Sequence, residues 1–241
     1  MKNEINRALV AKKNEKYLHI SKKSCTFAAQ NRFSMKVLLI NGSPRKSGNT
    51  FTALSEIART LGSEGIDSEI VWIGNKPVRG CIACGMCQTR NNGQCVFDDD
   101  VCNAISAKFA EADGFVFGSP VYYGQPNGAL LSIMQRAFFS NGAQVQNKPA
   151  AVVTICRRGG ATAAFEALQM PLQMMNMPVA TSQYWNIAYG REPGQAELDT
   201  EGMQTMRTLA RNLAWMIKGL RGEHAPQTPA REEWQPMHFI R

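Results

Sequence analysis

From residue 35 onward, short and wholly apolar runs alternate with helical stretches, and this pattern limits the folds open to the chain. Lys36-Val-Leu-Leu-Ile-Asn41 leads into a loop of small and hydroxyl-bearing residues ending at Thr50. A helix follows with Leu54, Ile57, Ala58 and Leu61 on one face, ending near Gly65. Further strands are read at 68–73, 114–117, 150–155 and 178–185. The helices between and after them fall at about 98–112 (opened by Asp98-Asp-Asp100), at 127–140, over Phe165, Leu168, Leu172 and Met175, and at 198–219. Strands that are apolar at every position are buried on both faces, so helices must cover both sides of the sheet. Strand–helix alternation implies parallel strands joined by right-handed crossovers. The expected fold is therefore α/β, a doubly wound sheet of five parallel strands. No apolar run approaches the ~20 residues a spanning helix needs, so no membrane segment is expected.

The formal charge of +8 is uneven. Residues 1–34 carry a net of +6, which leaves +2 for the rest. The chain is read as a basic, disordered extension (1–34), one domain (35–220) and a tail (221–241). Met35 directly precedes the first strand, and the functional chain is expected to begin near it. The extension lacks an apolar signal core, so a secretory route is not expected and the protein is assigned to the cytoplasm. Its charges suit a solvated arm, and neither nucleic acid nor a membrane is expected as a partner. The tail ends with Trp234, Met237, Phe239 and Ile240, a cluster suited to docking on a neighbouring subunit. Met203, Met206 and Met216 in the last helix are read as core packing.

Three loops follow strands and carry chemistry. In the first, Ser43, Arg45, Ser47, Asn49 and Thr50 precede a helix N-terminus, where unpaired amides and the helix dipole favour an anion. No Gly-Lys-Ser/Thr follows, so this is not a nucleoside-triphosphatase loop. In the second, Pro120, Val121, Tyr122, Tyr123 and Gly124 offer flat aromatic faces and backbone donors for a conjugated ring. In the third, Arg157, Gly159 and Gly160 form a basic exit loop, read either as solvated or as a seat for a cofactor phosphate.

Of seven cysteines, Cys81, Cys84, Cys87 and Cys95 lie within fifteen residues, spaced C-x2-C-x2-C-x7-C in the long loop 74–97. Four thiolates can bind a [4Fe–4S] cluster or zinc, or can remain free thiols, and the tight triple favours the cluster over zinc. Cys102 and Cys156 are read as small buried residues. The histidines His19, His224 and His238 all fall in the extension or the tail, and no catalytic triad is formed.

The segments Asn41-Gly-Ser-Pro-Arg-Lys-Ser-Gly-Asn-Thr50 and Gly118-Ser-Pro-Val-Tyr-Tyr-Gly124 resemble the NADPH-dependent FMN reductase family of flavodoxin-like proteins. The resemblance covers about 35–220. It implies a strand order of 2-1-3-4-5, with flavin at the carboxyl ends of the strands. It places the FMN phosphate on loop 43–50 and the ring along Pro120 to Gly124, with the loop of Arg157, Gly159 and Gly160 near the ring's far side. The cysteine spacing is similar to that of the family's iron–sulfur flavoprotein branch. The implied activity is hydride transfer from NAD(P)H to FMN, then electron delivery to a small-molecule acceptor or redox protein, in a homodimer or homotetramer. Two rivals remain at this level: a flavodoxin-type electron carrier, which the near-neutral body disfavours, and a zinc-stapled binding module.

Overall fold

A computed structural model describes residues 35–230. The extension 1–34 and the tail cluster Trp234, Met237, Phe239 and Ile240 lie outside the described residues, as do Cys25, His19 and His238. Among the described residues there are six strands: β1 (Lys36–Asn41), β2 (Asp67–Trp72), β3 (Gly114–Tyr122), β4 (Gln125–Pro126), β5 (Ala150–Cys156) and β6 (Ile187–Tyr189). The helices are α1 (Asn49–Ser63), α2 (Met86–Arg90), α3 (Cys102–Ala107), α4 (Gly128–Asn141), α5 (Ala161–Met174) and α6 (Thr200–Arg221). The parallel path runs β2-β1-β3-β5-β6, with β4 paired antiparallel to β3. This is the expected doubly wound order once the short hairpin strand β4 is set aside.

Residues facing alternate sides of the sheet meet different helices. Leu38, Ile40, Phe115 and Phe117 pack with residues of α3, α4 and α5. On the other face, a side chain at Gly114 would meet Ile217 of α6, and one at Gly118 would meet Leu54 and Thr50 of α1. Bare backbone at these two positions lets α1 and α6 lie close to the central strand. All of β5 is buried, as a strand covered on both faces must be. Among the described residues, no helix is long and apolar enough to cross a membrane.

Four expectations need correction. The segment 178–185 is not the fifth strand. Only Val179 bridges Ala150, and the chain then turns towards α6, where Asn212 donates to the Thr181 carbonyl and Ser182 to the Thr205 carbonyl. Pairing resumes at β6, which lies beside the carboxyl half of β5. The third strand runs on to Tyr122, and Tyr123 and Gly124, both with positive φ, form the two-residue turn of a hairpin to β4. The helix expected over 98–112 starts later, at Cys102, where the Asp100 carboxylate accepts from the Cys102 amide, and its last turn tightens to 3₁₀ over Lys108–Glu111. The cysteine loop also contains the one-turn helix α2.

Candidate functional site

The loops leaving β1, β3, β5 and β6 at their carboxyl ends enclose one cleft, where open α/β sheets place their ligands. The β1 loop is held by its own side chains and by neighbours. Asn41 accepts from the Ser43 amide (3.1 Å) and donates to the Lys46 carbonyl (3.1 Å), while the Ser43 hydroxyl accepts from the Arg45 amide (3.1 Å). The indole of Trp72 donates to the Ser43 carbonyl (2.7 Å), and Asn127 donates to the Gly42 carbonyl (2.8 Å). Gly42 has no room for a side chain: a Cβ there would stand 2.7 Å from the Gly118 carbonyl oxygen. The loop carbonyls are thus tied to the scaffold. α1 opens at Gly48 with no side-chain cap, so the positive end of a 15-residue helix faces the cleft.

Of the residues singled out from sequence, Ser43, Arg45, Asn49, Thr50, Pro120, Val121, Tyr122 and Arg157 line this cleft. Thr50 is almost fully buried, and Tyr122 is half exposed. Asn49, which lines the cleft, also ties down a neighbouring loop. Its amide donates to the Glu192 carbonyl (2.9 Å) and accepts from the Ala196 amide (3.1 Å), clamping the 190–196 loop to α1. Ser47 faces a neighbouring cleft between α1 and α6. Tyr123 stands fully exposed at the hairpin tip. Gly160 packs under that hairpin with φ +85°, where a Cβ would lie 2.8 Å from Gly124 Cα, so only glycine lets the two loops meet. Gly190 and Arg191 also line the cleft and went unnoticed in the sequence, because they follow a strand placed too early. Three arginines and no carboxylate line the cleft, which suits an anionic ligand. Cys156 lies at its floor, with burial pushing the thiol pKa up against the pull of the Arg158 and Ala161 amides, so it stays protonated at neutral pH.

A second cavity gathers all four clustered cysteines. Cys81, Cys84, Cys87 and Cys95 line it together with Ile82, Val96, Phe97 and Phe139. Left-handed backbone at Ala83 (φ 52°) and Gly85 (φ 71°) curls the C-x2-C-x2-C segment so that its thiols share this space. Three sulfurs accept N–H groups: Cys81 from the Ala83 amide (3.4 Å), Cys87 from Gln88 (3.9 Å) and Cys95 from the Arg136 guanidinium (3.2 Å). Among the described residues, no His, Cys, Asp and Glu side chains form a set that would hold a metal ion as they stand. Four thiols thus border one small cavity, Cys81 and Cys84 exposed at its rim and Cys87 buried, a donor set of the kind a thiolate-bound group uses.

Arg136 was missed from sequence. It is the sole charged residue of α4, and an isolated charge on an apolar helix was the available signal. Its side chain is wholly buried and pairs with the nearly buried Asp100. It also donates to the carbonyls of Arg79 (3.3 Å) and Phe97 (2.9 Å). Burial opposes its charge, but the hydrogen bonds to Asp100 and Cys95 outweigh that and raise its pKa further. Cys102 lies nearby, its thiol pushed up to about 12 by burial, and acts as packing as expected.

The sequence model of the NADPH-dependent FMN reductase family matches residues 35–192. An iron–sulfur flavoprotein of Methanocaldococcus jannaschii is 33% identical over 192 residues, covering 76% of this chain and 98% of that relative. Among solved structures, RosB with a bound 8-demethyl-8-formylriboflavin-5'-phosphate intermediate superposes with a TM-score of 0.61 at 17% identity, covering 86% of this chain and 94% of that one. A flavodoxin from the domain Archaea superposes at 0.51 with 15% identity, over 76% of this chain and 99% of that one.

Proposed function

Because the chain belongs to the NADPH-dependent FMN reductase family, we propose that it is an FMN-dependent oxidoreductase that takes electrons from NAD(P)H and releases them through a [4Fe–4S] cluster. The observation that carries the flavin reading is the carboxylate-free, arginine-lined cleft at the uncapped end of α1. The α1 amides and Arg45 would hold the phosphate, and Tyr122 with the Pro120–Val121 backbone would border the ring. Asn49 would act indirectly, by fixing the 190–196 loop that carries Arg191 to the cleft. Arg157 and Arg191 would receive the phosphates of the nicotinamide donor. FMN, when bound, supplies two-electron exchange with the nicotinamide and one-electron exchange with acceptors.

Cys81, Cys84, Cys87 and Cys95 would hold the cluster, a reading supported by their shared cavity, by the N–H groups at three sulfurs and by the name of the M. jannaschii relative. Electrons would pass to a small-molecule acceptor or a redox protein, and the functional unit would be a homodimer or homotetramer in the cytoplasm. The test is the visible spectrum of anaerobically purified protein, with flavin, iron, sulfide and zinc measured on the same sample. FMN with iron and sulfide near four per chain, the [4Fe–4S] stoichiometry, is the expected result. FMN without iron would leave a flavin reductase with bystander thiols, and a chain that cannot be loaded with FMN would overturn the proposal. Steady-state NAD(P)H oxidation separates an enzyme from a flavodoxin-type carrier, which would show almost none.

A further inference from the structure

We infer that Arg136 is a positioning residue for the cysteine cavity: it holds the Cys95 sulfur in place as the fourth ligand and sets the reduction potential of the group bound there. The inference rests on the cluster reading above and extends it to a residue outside the cysteine motif.

Its basis is the way one buried guanidinium uses its donors. Nε points at the Cys95 sulfur (3.2 Å), one terminal nitrogen reaches both Asp100 and the Arg79 carbonyl, and the other reaches the Phe97 carbonyl (2.9 Å). These acceptors come from both ends of the cysteine loop, just before Cys81 and just after Cys95. A single planar fork therefore closes the loop and fixes its most distant cysteine. Cys95 needs such help, because seven residues separate it from Cys87 and it shares no tight turn with the other three. The Cys95 backbone is held separately: Asn103 accepts from its amide (2.8 Å) and donates to its carbonyl (3.0 Å). Arg136 is thus the contact that addresses the sulfur itself.

The electrostatic consequence follows from burial. Each electron added to a thiolate-bound cluster adds one negative charge, and a cation fixed at one ligand sulfur in a low-dielectric site favours that state. Asp100 opposes this effect, but it lies on the far side of the fork, on a terminal nitrogen rather than at the sulfur. The two members of the ion pair should therefore move the potential in opposite directions. The Phe97 ring, stacked 5.7 Å from the Arg136 guanidinium and 4.5 Å from that of Arg79, lines the cavity and helps keep water from the pair.

Three variants test this in the full-length holoprotein, with flavin content reporting the fold. Arg136→Lys keeps the charge but lacks the fork, and is expected to lower iron and sulfide per FMN several-fold. The charge-balanced double variant Asp100→Asn/Arg136→Gln leaves no stranded charge, and whatever cluster it keeps should titrate at a lower potential than wild type. Asp100→Asn alone leaves the guanidinium in place and should shift the potential upward. The readouts are iron and sulfide analysis and a spectroscopic redox titration, neither of which depends on turnover. Variants with wild-type iron content and potential would overturn the inference while leaving the cluster in place. A wild-type chain that binds FMN but takes up no iron and sulfide on anaerobic reconstitution would overturn the cluster reading, and this inference with it.

Discussion

A guanidinium stripped of water is costly unless a countercharge answers it, and Asp100 provides that answer for Arg136. Arg136→Met would strand a buried carboxylate, and a loss of about 3–5 kcal/mol is expected in denaturant unfolding. Asp100 was legible in the sequence only as a helix-cap candidate. It does accept from the Cys102 amide, but its second oxygen serves the ion pair, a contact across 36 residues that no local pattern announces. A surface counterpart is Glu56, whose carboxyl is held below its ordinary pKa chiefly by the hydrogen bond from Arg59, with Arg207 adding to it. Such a group stabilises the fold above the usual carboxylate range, and its contribution disappears as pH falls through the lowered folded-state value. Thermal midpoints should therefore drop below about pH 4.5, and Glu56→Gln should flatten that part of the profile. In the cleft, removing the charge at Arg45 should weaken FMN binding about tenfold, the usual worth of one charge-assisted contact. Titrating apoprotein with FMN by fluorescence quenching would measure it, and an unchanged affinity would assign the phosphate to the α1 amides alone.

Elements were legible where they obey one period and obscure where they do not. β1, β5 and α1 followed from apolar runs and a helical stripe. β6 was displaced because 178–185 has strand-like residues whose polar backbone groups are answered by α6 instead of β5. The β3–β4 hairpin escaped notice because Tyr123 occupies a left-handed position usually given to glycine or asparagine. The contact of α1 with β3 carries a test of its own. Leu54 is fully buried and would crowd any side chain placed at Gly118, so Leu54→Ala should cost about 3–5 kcal/mol in urea unfolding. Gly160→Ala should leave secondary structure intact by circular dichroism while weakening FMN binding, because its Cβ would push the hairpin carrying Tyr122 off the cleft.

At the scale of the molecule, alternating strands and helices announced a parallel, doubly wound sheet, while the order of its strands was implied by the resemblance to flavodoxin-like proteins and agrees with the path observed. The convergence of the four cysteines was readable only as spacing. Their cavity depends on α4, which comes some thirty residues later in the chain. Aromatic rings left open to water at Tyr184, Trp185 and Tyr123 suit a surface that another copy covers. Light scattering is expected to give a dimer or tetramer, and a monomer that binds FMN fully would remove that expectation.

α4 joins the two sites. Asn127, its N-cap, grips the Gly42 carbonyl beside the cleft, while Arg136 grips the cysteine loop. Nine residues at 1.5 Å each make a ruler of about 13 Å between these grips. A ruler also has a phase, since each helical residue turns the next by about 100°. One alanine inserted between Leu131 and Gln135 would swing the guanidinium away from the cysteines, and would turn Ala137 and Phe138 off the core with it. The spacing between the two sites, and the bearing of one on the other, are thus written in the count of residues along a single helix.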